Sequence, residues 1–322
     1  MKKNILITGV MGHVGFSLAF KLAEDNNIIG IYNKTIDKKK FNLLKKRKVK
    51  LIKNNLSNII KIKKIIVQNK IDNCVYCAAI SHEIYAKKKP FEAIKSNASN
   101  VLNFLELLKL NKKITFIYVS TGSVFQDIKN ERKKINENIV PTPKNIYAGT
   151  KRLGEILVEN YVNYYKIKAC VLRISWVYGP QILNDKINVQ RGPIPYILSS
   201  LFIKKNNSIL FDSGGDFKAS FTYIDDVILA ISFLLNSKKY RNIYYHLGTG
   251  VNNSNFDIAK IINKLFSTKK IKFGKNKEPW SNESVTRGPL IGNNLKNEFG
   301  YKIRYNIKSG IKEYIKKIIK NA

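Results

Sequence analysis

The sequence predicts an α/β fold, a doubly wound parallel sheet with a smaller, discontinuous lobe toward the C-terminus. Three observations carry that expectation. Short apolar runs alternate with helix-patterned segments through the first half of the chain, a glycine-rich turn joins the first run to the first helix, and the alternation breaks after Tyr178-Gly179-Pro180. Strands separated by helices pair in parallel through right-handed crossovers, which covers both faces of a single sheet.

Taken in order, residues 4–8 are an apolar strand, and Val14, Leu18 and Leu22 stack on one face of the next helix at a spacing of four. Further strands are expected at 28–32, 48–53, 73–78, 114–120 and 169–174. From Pro90, the residues Phe91, Ile94, Ala98, Val101, Leu105 and Leu108 recur at threes and fours, so one long amphipathic helix is expected there. A second long helix is expected over 147–164. Beyond residue 180 come loops, a short helix near Pro195 and the Gly214-Gly215 pair, and then 221–235 and 244–247 read as elements that rejoin the sheet. A helix opens at Ser254, turn chemistry surrounds Glu278-Pro279-Trp280, and a basic helix closes the chain.

The 322 residues are 44% hydrophobic and 25% charged, enough to bury a core and unlike a disordered chain. The net charge of +36 invites a nucleic-acid reading, but only eight of the 58 basic residues are Arg. Lysine spread over every solvated face gives that charge without the Arg forks that read bases and phosphates. Nucleic acid is therefore not an expected partner. No apolar run is long enough for a membrane span, and the opening Met1-Lys2-Lys3 leads into the glycine turn without a small-residue cleavage site. A soluble, cytoplasmic protein is expected. Three cysteines suit a reducing compartment; Cys74 and Cys77 sit three apart on an expected strand and point to opposite faces, and His13, His82 and His246 show no ligand spacing. No metal is expected.

The glycine turn runs Thr8-Gly9-Val10-Met11-Gly12-His13-Val14-Gly15 between strand and helix. Gly9 permits the tight turn, Gly12 lets backbone approach a pyrophosphate, and Gly15 lets the helix pack on the strand, while the helix N-terminus faces the phosphates. This is the pattern of a dinucleotide site on a Rossmann sheet. Residues 1–178 form the dinucleotide-binding domain, rejoined by about 221–250, and 179–220 with 251–322 form the substrate lobe. Where a ribose-binding carboxylate belongs, after the second strand, stand Asn33 and Lys34. Without an acid to hold a 2′-hydroxyl, and with a lysine beside it, the site favours NADP(H) over NAD(H).

Thr8-Gly-x-x-Gly-x-x-Gly15 resembles the fingerprint of the extended short-chain dehydrogenase/reductases, the nucleotide-sugar epimerase, dehydratase and reductase group. Further matches follow in order: Cys77-Ala78-Ala79, Asn97, Val119-Ser-Thr-Gly-Ser-Val-Phe125, Tyr147-Ala-Gly-Thr-Lys151 with Gly154-Glu155, Leu172-Arg-Ile-Ser-Trp-Val-Tyr-Gly-Pro180, and Phe221-Thr-Tyr-Ile-Asp-Asp226. The resemblance implies cofactor contacts at Gly9, Met11, Gly12, His13, Val14, Gly15, Ala78, Ala79 and Asn97, an adenine site framed by Asn55 and Leu56, and further contacts from Tyr147 and Lys151. It also implies a homodimer paired through the helices that start at Pro90 and Tyr147.

Tyr147 and Lys151 are four apart and share a helix face. A free phenol, with a pKa of about 10, is a poor base at neutral pH; a neighbouring ammonium favours the phenolate, which can move a proton on and off a sugar hydroxyl during hydride transfer. Thr121 stands where the resembling enzymes place the Ser/Thr that holds the reacting oxygen. In the resembling 4,6-dehydratases an acid follows that residue; Gly122 and Ser123 are neither acid nor base, so dehydration is not expected. The motifs look most like the reductases related to dTDP-4-dehydrorhamnose reductase, so reduction of a C4 keto sugar is expected, with a 4-epimerase retaining NAD as the alternative. A non-catalytic NADP-binding subunit is the reading from another class, and it sits poorly with an intact Thr121, Tyr147 and Lys151. Arg191 and Arg287 are candidates for the diphosphate of a nucleotide-sugar substrate, since Arg forks suit paired phosphate oxygens.

Overall fold

The computed structural model describes residues 2–33, 37–126, 130, 132–180, 192–276 and 287–321. Among these residues the first six strands are β1 (Asn4–Thr8), β2 (Asn27–Tyr32), β3 (Lys50–Lys53), β4 (Asn73–Tyr76), β5 (Thr115–Thr121) and β6 (Ala169–Ile174). Between them run α1 (His13–Leu22), α2 (Lys38–Lys46), α3 (Ile59–Gln68), α4 (Glu83–Lys88), α5 (Pro90–Ile94), α6 (Asn100–Leu110) and α7 (Ile146–Tyr165). With the strand Tyr244–Leu247 added at one edge, the order is Tyr244–Leu247, β6, β5, β4, β1, β2, β3. Every neighbouring pair is parallel. The chain winds outward from β1 through β2 to β3, then returns to the other side of β1 at β4. That reversal opens a crevice at the C-terminal ends of β1 and β4, where sheets of this kind bind ligands.

Successive side chains along the central strands are buried in opposite apolar layers, as a sheet covered on both faces requires. Ile117 and Val119 of β5 join one apolar cluster with Ile5, Ile7 and Phe16, while Phe116 and Tyr118 join another with Leu6, Ile65 and Phe104. Ile194, Leu198, Ile258, Ile262 and Ile311, from the C-terminal half, belong to the first cluster. The two segments expected to build the lobe pair with each other, Ser208–Phe211 in parallel with Lys270–Phe273 and Lys218–Ala219 antiparallel to Asn253–Ser254.

Three expectations change. The helix from Pro90 is not uniform: a π-helical stretch, Lys95–Ser99, separates α5 from α6, and such bulges cluster at functional sites. The strand expected over 73–78 ends at Tyr76, because the Ala78 amide turns aside to donate to Thr8 Oγ1 at 3.1 Å. Residues 221–235 do not rejoin the sheet. Phe221–Tyr223 pairs with Trp176–Tyr178 in a separate two-stranded sheet, and Ile224–Asn236 is a helix. The buried Asp226 carboxylate anchors that helix by accepting from the backbone amides of Arg304 at 2.9 Å and Tyr305 at 3.1 Å. Among the described residues, no helix is long and apolar enough to cross a membrane.

Candidate active site

The crevice between β1 and β4 is lined first by backbone. Gly9 turns with φ +66°, and a Cβ there would lie 2.8 Å from both Cα and N of Ala78. A Cβ at Gly15 would strike the Gly9 carbonyl, so α1 can press onto the turn only as glycine. Gly12 is looser: the nearest contact of a Cβ would be Gly9 O at 3.2 Å. α1 then starts from an extended Gly12, with no side-chain cap and no acid in its first turn. Its leading amides and positive dipole end are set for an anion. The residues present therefore fit the pyrophosphate of a dinucleotide.

The flanking residues sort less evenly. Asn33 is exposed just past β2, and Lys34 lies outside the described residues. Asn55 is exposed and its Oδ1 accepts from Ser57 N at 3.1 Å, while Leu56 is buried. Ala79 is half-buried beside Ala78, and Met11, His13 and Val14 are half-buried in the turn. Asn97 is wholly buried, its Oδ1 accepts from Ile80 N at 2.9 Å, and its Nδ2 donates to Ile80 O and to Thr150 Oγ1, both at 3.0 Å. It ties the loop after β4 to α7. Lys40 was missed, hidden in the run 38–40 of lysines. Its buried ammonium donates to Met11 O at 3.1 Å and lies 4.0 Å from the Asp37 carboxylate, placing a cation under the glycine turn.

The chemical groups come from β5 and α7. Asn145 caps α7 by accepting from Ala148 N at 2.8 Å, and Gln126 Oε1 accepts from the amides of Lys144 and Asn145, which fixes where the helix begins. Half-buried Tyr147 thus sits in the first turn, with Lys151 one turn on. Lys151 is 2% exposed. Its Nζ donates to Val119 O at 2.7 Å and stands 4.0 Å over the Tyr118 ring. Burial pushes its pKa down to about 7, against the opposing pull of Glu155 and Cys77. At the end of β5, Thr121 Oγ1 accepts from Ser123 N at 3.1 Å and approaches Ser123 Oγ at 3.3 Å. Thr121 thus ends β5, and Tyr147 and Lys151 lie near the start of α7, the helix that Lys151 ties to β5.

One turn further along α7 lies a buried charge network whose role the sequence reading missed. Glu155 receives Arg173 in a two-point grip, from Nε at 2.9 Å and Nη2 at 2.8 Å, together with Ser120 Oγ at 2.6 Å and Arg152 Nη1 at 3.1 Å. Arg173 Nη1 reaches His246 Nε2 at 3.2 Å. A carboxylate four residues after Lys151 on the same helix face was the available signal.

Of the two expected substrate arginines, Arg191 lies outside the described residues. Arg287 is 9% exposed and its Nε has no hydrogen-bond partner. Its guanidinium occupies the space into which a side chain at Gly122 would project. It feels the charges of Glu83 and Tyr147, and burial pushes its pKa down to about 10. Arg287, Glu83, Ser123, Gln126, Trp176 and Lys218 line one cavity.

The sequence model of the NAD dependent epimerase/dehydratase family matches residues 5–248. The chain belongs to that family. Within it, a Dictyostelium discoideum protein named dTDP-D-glucose 4,6-dehydratase is 28% identical over 275 residues, covering 81% of this chain and 61% of its own length. The fold superposes on UDP-glucose 4-epimerase from Thermotoga maritima, solved with UDP-glucose, with a TM-score of 0.83, 21% identity and 99% of each chain covered. It also superposes on dTDP-glucose 4,6-dehydratase from Bacillus anthracis, solved with NAD, with a TM-score of 0.82, 20% identity, and 99% and 97% of the two chains covered. This family member therefore carries the extended short-chain dehydrogenase/reductase fold from end to end.

Proposed function

We propose that this chain transfers hydride at C4 of a nucleotide-activated sugar, with Tyr147 as the acid/base. The observation that carries the reading is the position of Lys151, buried one helical turn from Tyr147 and held by the carbonyl of Val119, two residues before Thr121 in β5. A nicotinamide dinucleotide in the glycine cradle supplies or accepts the hydride. The protein's own groups do the rest. Tyr147 gives and takes the proton of the sugar hydroxyl, the Lys151 ammonium favours the phenolate, and the Thr121 hydroxyl holds the reacting oxygen. Elimination of water needs a further acid or base, and Gly122 and Ser123 offer none.

Two net reactions share this step. Reduction of a 4-keto sugar follows from the absence of a carboxylate at Asn33, which favours NADP(H), taken up and spent each turnover. Epimerisation at C4 with retained NAD is supported by the family's NAD dependence and by the epimerase whose fold this chain shares. The deciding experiment denatures freshly purified protein, identifies any released dinucleotide by mass spectrometry, and titrates the emptied protein with NADPH and NADH. Near-stoichiometric NAD means the epimerase; an empty protein that prefers NADPH means the reductase. In either case Tyr147→Phe is expected to lose roughly 100- to 10,000-fold in turnover while still binding the dinucleotide. Undiminished turnover would remove Tyr147 from the mechanism.

A further inference from the structure

The cavity around Arg287 is lined by more cationic than anionic side chains. Arg287 and Lys218 are cations and Glu83 is the one carboxylate among the six lining residues named above. The segment that carries Arg287 is firmly built: its carbonyl accepts from Asn252 Nδ2 at 2.7 Å, Pro289 O accepts from Ile135 N at 2.9 Å, and Ile291 N donates to Ile135 O at 3.0 Å. A guanidinium that is nine-tenths buried, with one nitrogen unpartnered, is costly by itself and gains most from an anion placed against it. The missing side chain at Gly122 is what gives the guanidinium room to reach the end of β5.

Where that anion lies on a substrate follows from Gly122, the residue directly after Thr121, against whose backbone the Arg287 guanidinium lies. Given the proposed reaction, C4 of the sugar is at Tyr147. In a pyranose ring C1, which carries the diphosphate, lies across the ring from C4. The substituents that flank C4 are the hydroxyl of C3 and the C6 group borne on C5, and only C6 is open to oxidation to a carboxylate without breaking the ring. We propose that this site selects a nucleotide-activated hexuronate and that Arg287 binds its C6 carboxylate. The proposal rests on the hydride-transfer reading and revises the diphosphate role expected for Arg287 from the sequence. Ser123 and Lys218 line the same cavity, and Trp176 supplies an aromatic wall.

Quenching of Trp fluorescence reads the test, with UDP, UDP-glucose and UDP-glucuronate as one series and GDP, GDP-mannose and GDP-mannuronate as the other. In at least one series the uronate is expected to bind ten or more times tighter than the neutral sugar. Arg287→Met is expected to bring that ratio close to one, and Arg287→Lys to keep part of it. Gly122→Asp, which sets a carboxylate against the guanidinium, gives the same collapse should Arg287→Met fail to fold. Equal binding of neutral and acidic sugars by the unaltered protein overturns the proposal. So does an Arg287→Met protein that weakens bare UDP or GDP as much as the uronate, since that marks a diphosphate site. If no nucleotide sugar of either series binds while the dinucleotide still titrates, the nucleotide-sugar reading itself falls, and this inference with it.

Discussion

Two consecutive turns of α7 handle buried charge in opposite ways. At the Glu155 turn, the Arg173 guanidinium is 1% exposed and meets a carboxylate at two points, with Ser120, Arg152 and His246 completing the set. At the Tyr147–Lys151 turn, Lys151 has a carbonyl and a ring face for company, and nearby Arg287 leaves a nitrogen unpartnered. Against 58 basic residues the chain has 22 acidic ones, and at this place it commits Glu155 to structure. The difference separates a charge that holds the fold from a charge that waits for a phenolate or a ligand.

The sharpest way to break that comparison is to delete each arginine and measure stability. Arg173→Met leaves Glu155 buried without its two-point partner, and removing one member of a buried pair costs roughly 3–5 kcal/mol. Arg152 still touches Glu155 at 3.1 Å, which places the expected loss at the lower end of that range. Arg287→Met removes a buried charge that has no comparable partner, so its stability is expected to stay within about 1 kcal/mol of the parent or to rise. Urea unfolding of the two variants side by side checks this. Equal losses would mean that Arg287 is as much a structural residue as Arg173.

The sequence made one of these turns far more readable than the other. The glycine cradle is local: Gly9, Gly12 and Gly15 meet within one strand–turn–helix, so spacing alone reports their geometry. Tyr147 and Lys151 share a helix face for the same reason. Arg287 reaches Gly122 from far along the chain, and no periodicity links the two. Asn97 was placed in the right neighbourhood, but its orientation depends on Ile80 and Thr150, which only the folded chain brings to it. Lys40 escaped notice because a chain so rich in lysine gives no contrast against which one buried lysine stands out. The 221–235 segment was misread because a short apolar strand and the start of a buried helix have the same composition.

A smaller effect sharpens the contrast from inside α7. The groups that face Lys151 are Glu155 from its own helix, Tyr118 and the Val119 carbonyl from β5, and Cys77 after β4. Its pKa of about 7 makes the ammonium scarce as pH rises through that value, so turnover that needs the ammonium falls on the alkaline side. The Glu155 charge favours the ammonium, and Glu155→Gln is expected to move that alkaline limb to lower pH. The check is a pH–rate profile with stability monitored at each pH. An unmoved limb in a folded variant would confine Glu155 to holding Arg173.

The smallest effect lies at the far end of the network and concerns acid stability. His246 is wholly buried, with Nδ1 3.2 Å from Ile135 O and Nε2 3.2 Å from Arg173 Nη1. Since a guanidinium can only donate, Nε2 accepts and Nδ1 carries the proton. A second proton would have to point at Arg173. Burial first, and then the Arg173 charge, push the His246 pKa down to about 3. In the unfolded chain the same ring titrates at about 6.5. Above that value it is neutral in both states and costs nothing. As pH falls from about 6.5 toward 3, the unfolded chain takes up a proton that the folded chain refuses, so stability drops by up to about 1.4 kcal/mol per pH unit from this one site. Glu137, half-buried beside the His246 amide, has its pKa raised by burial and works in the opposite sense, so the difference between variant and parent is the quantity to follow. His246→Gln is expected to be less stable than the parent at pH 7.5 but to lose less on acidification, its deficit narrowing between about pH 6 and 4.5 in thermal melts. A deficit that stays constant across that range would mean that the network admits the second proton, and that its saturation at the Glu155 turn is looser than its distances imply.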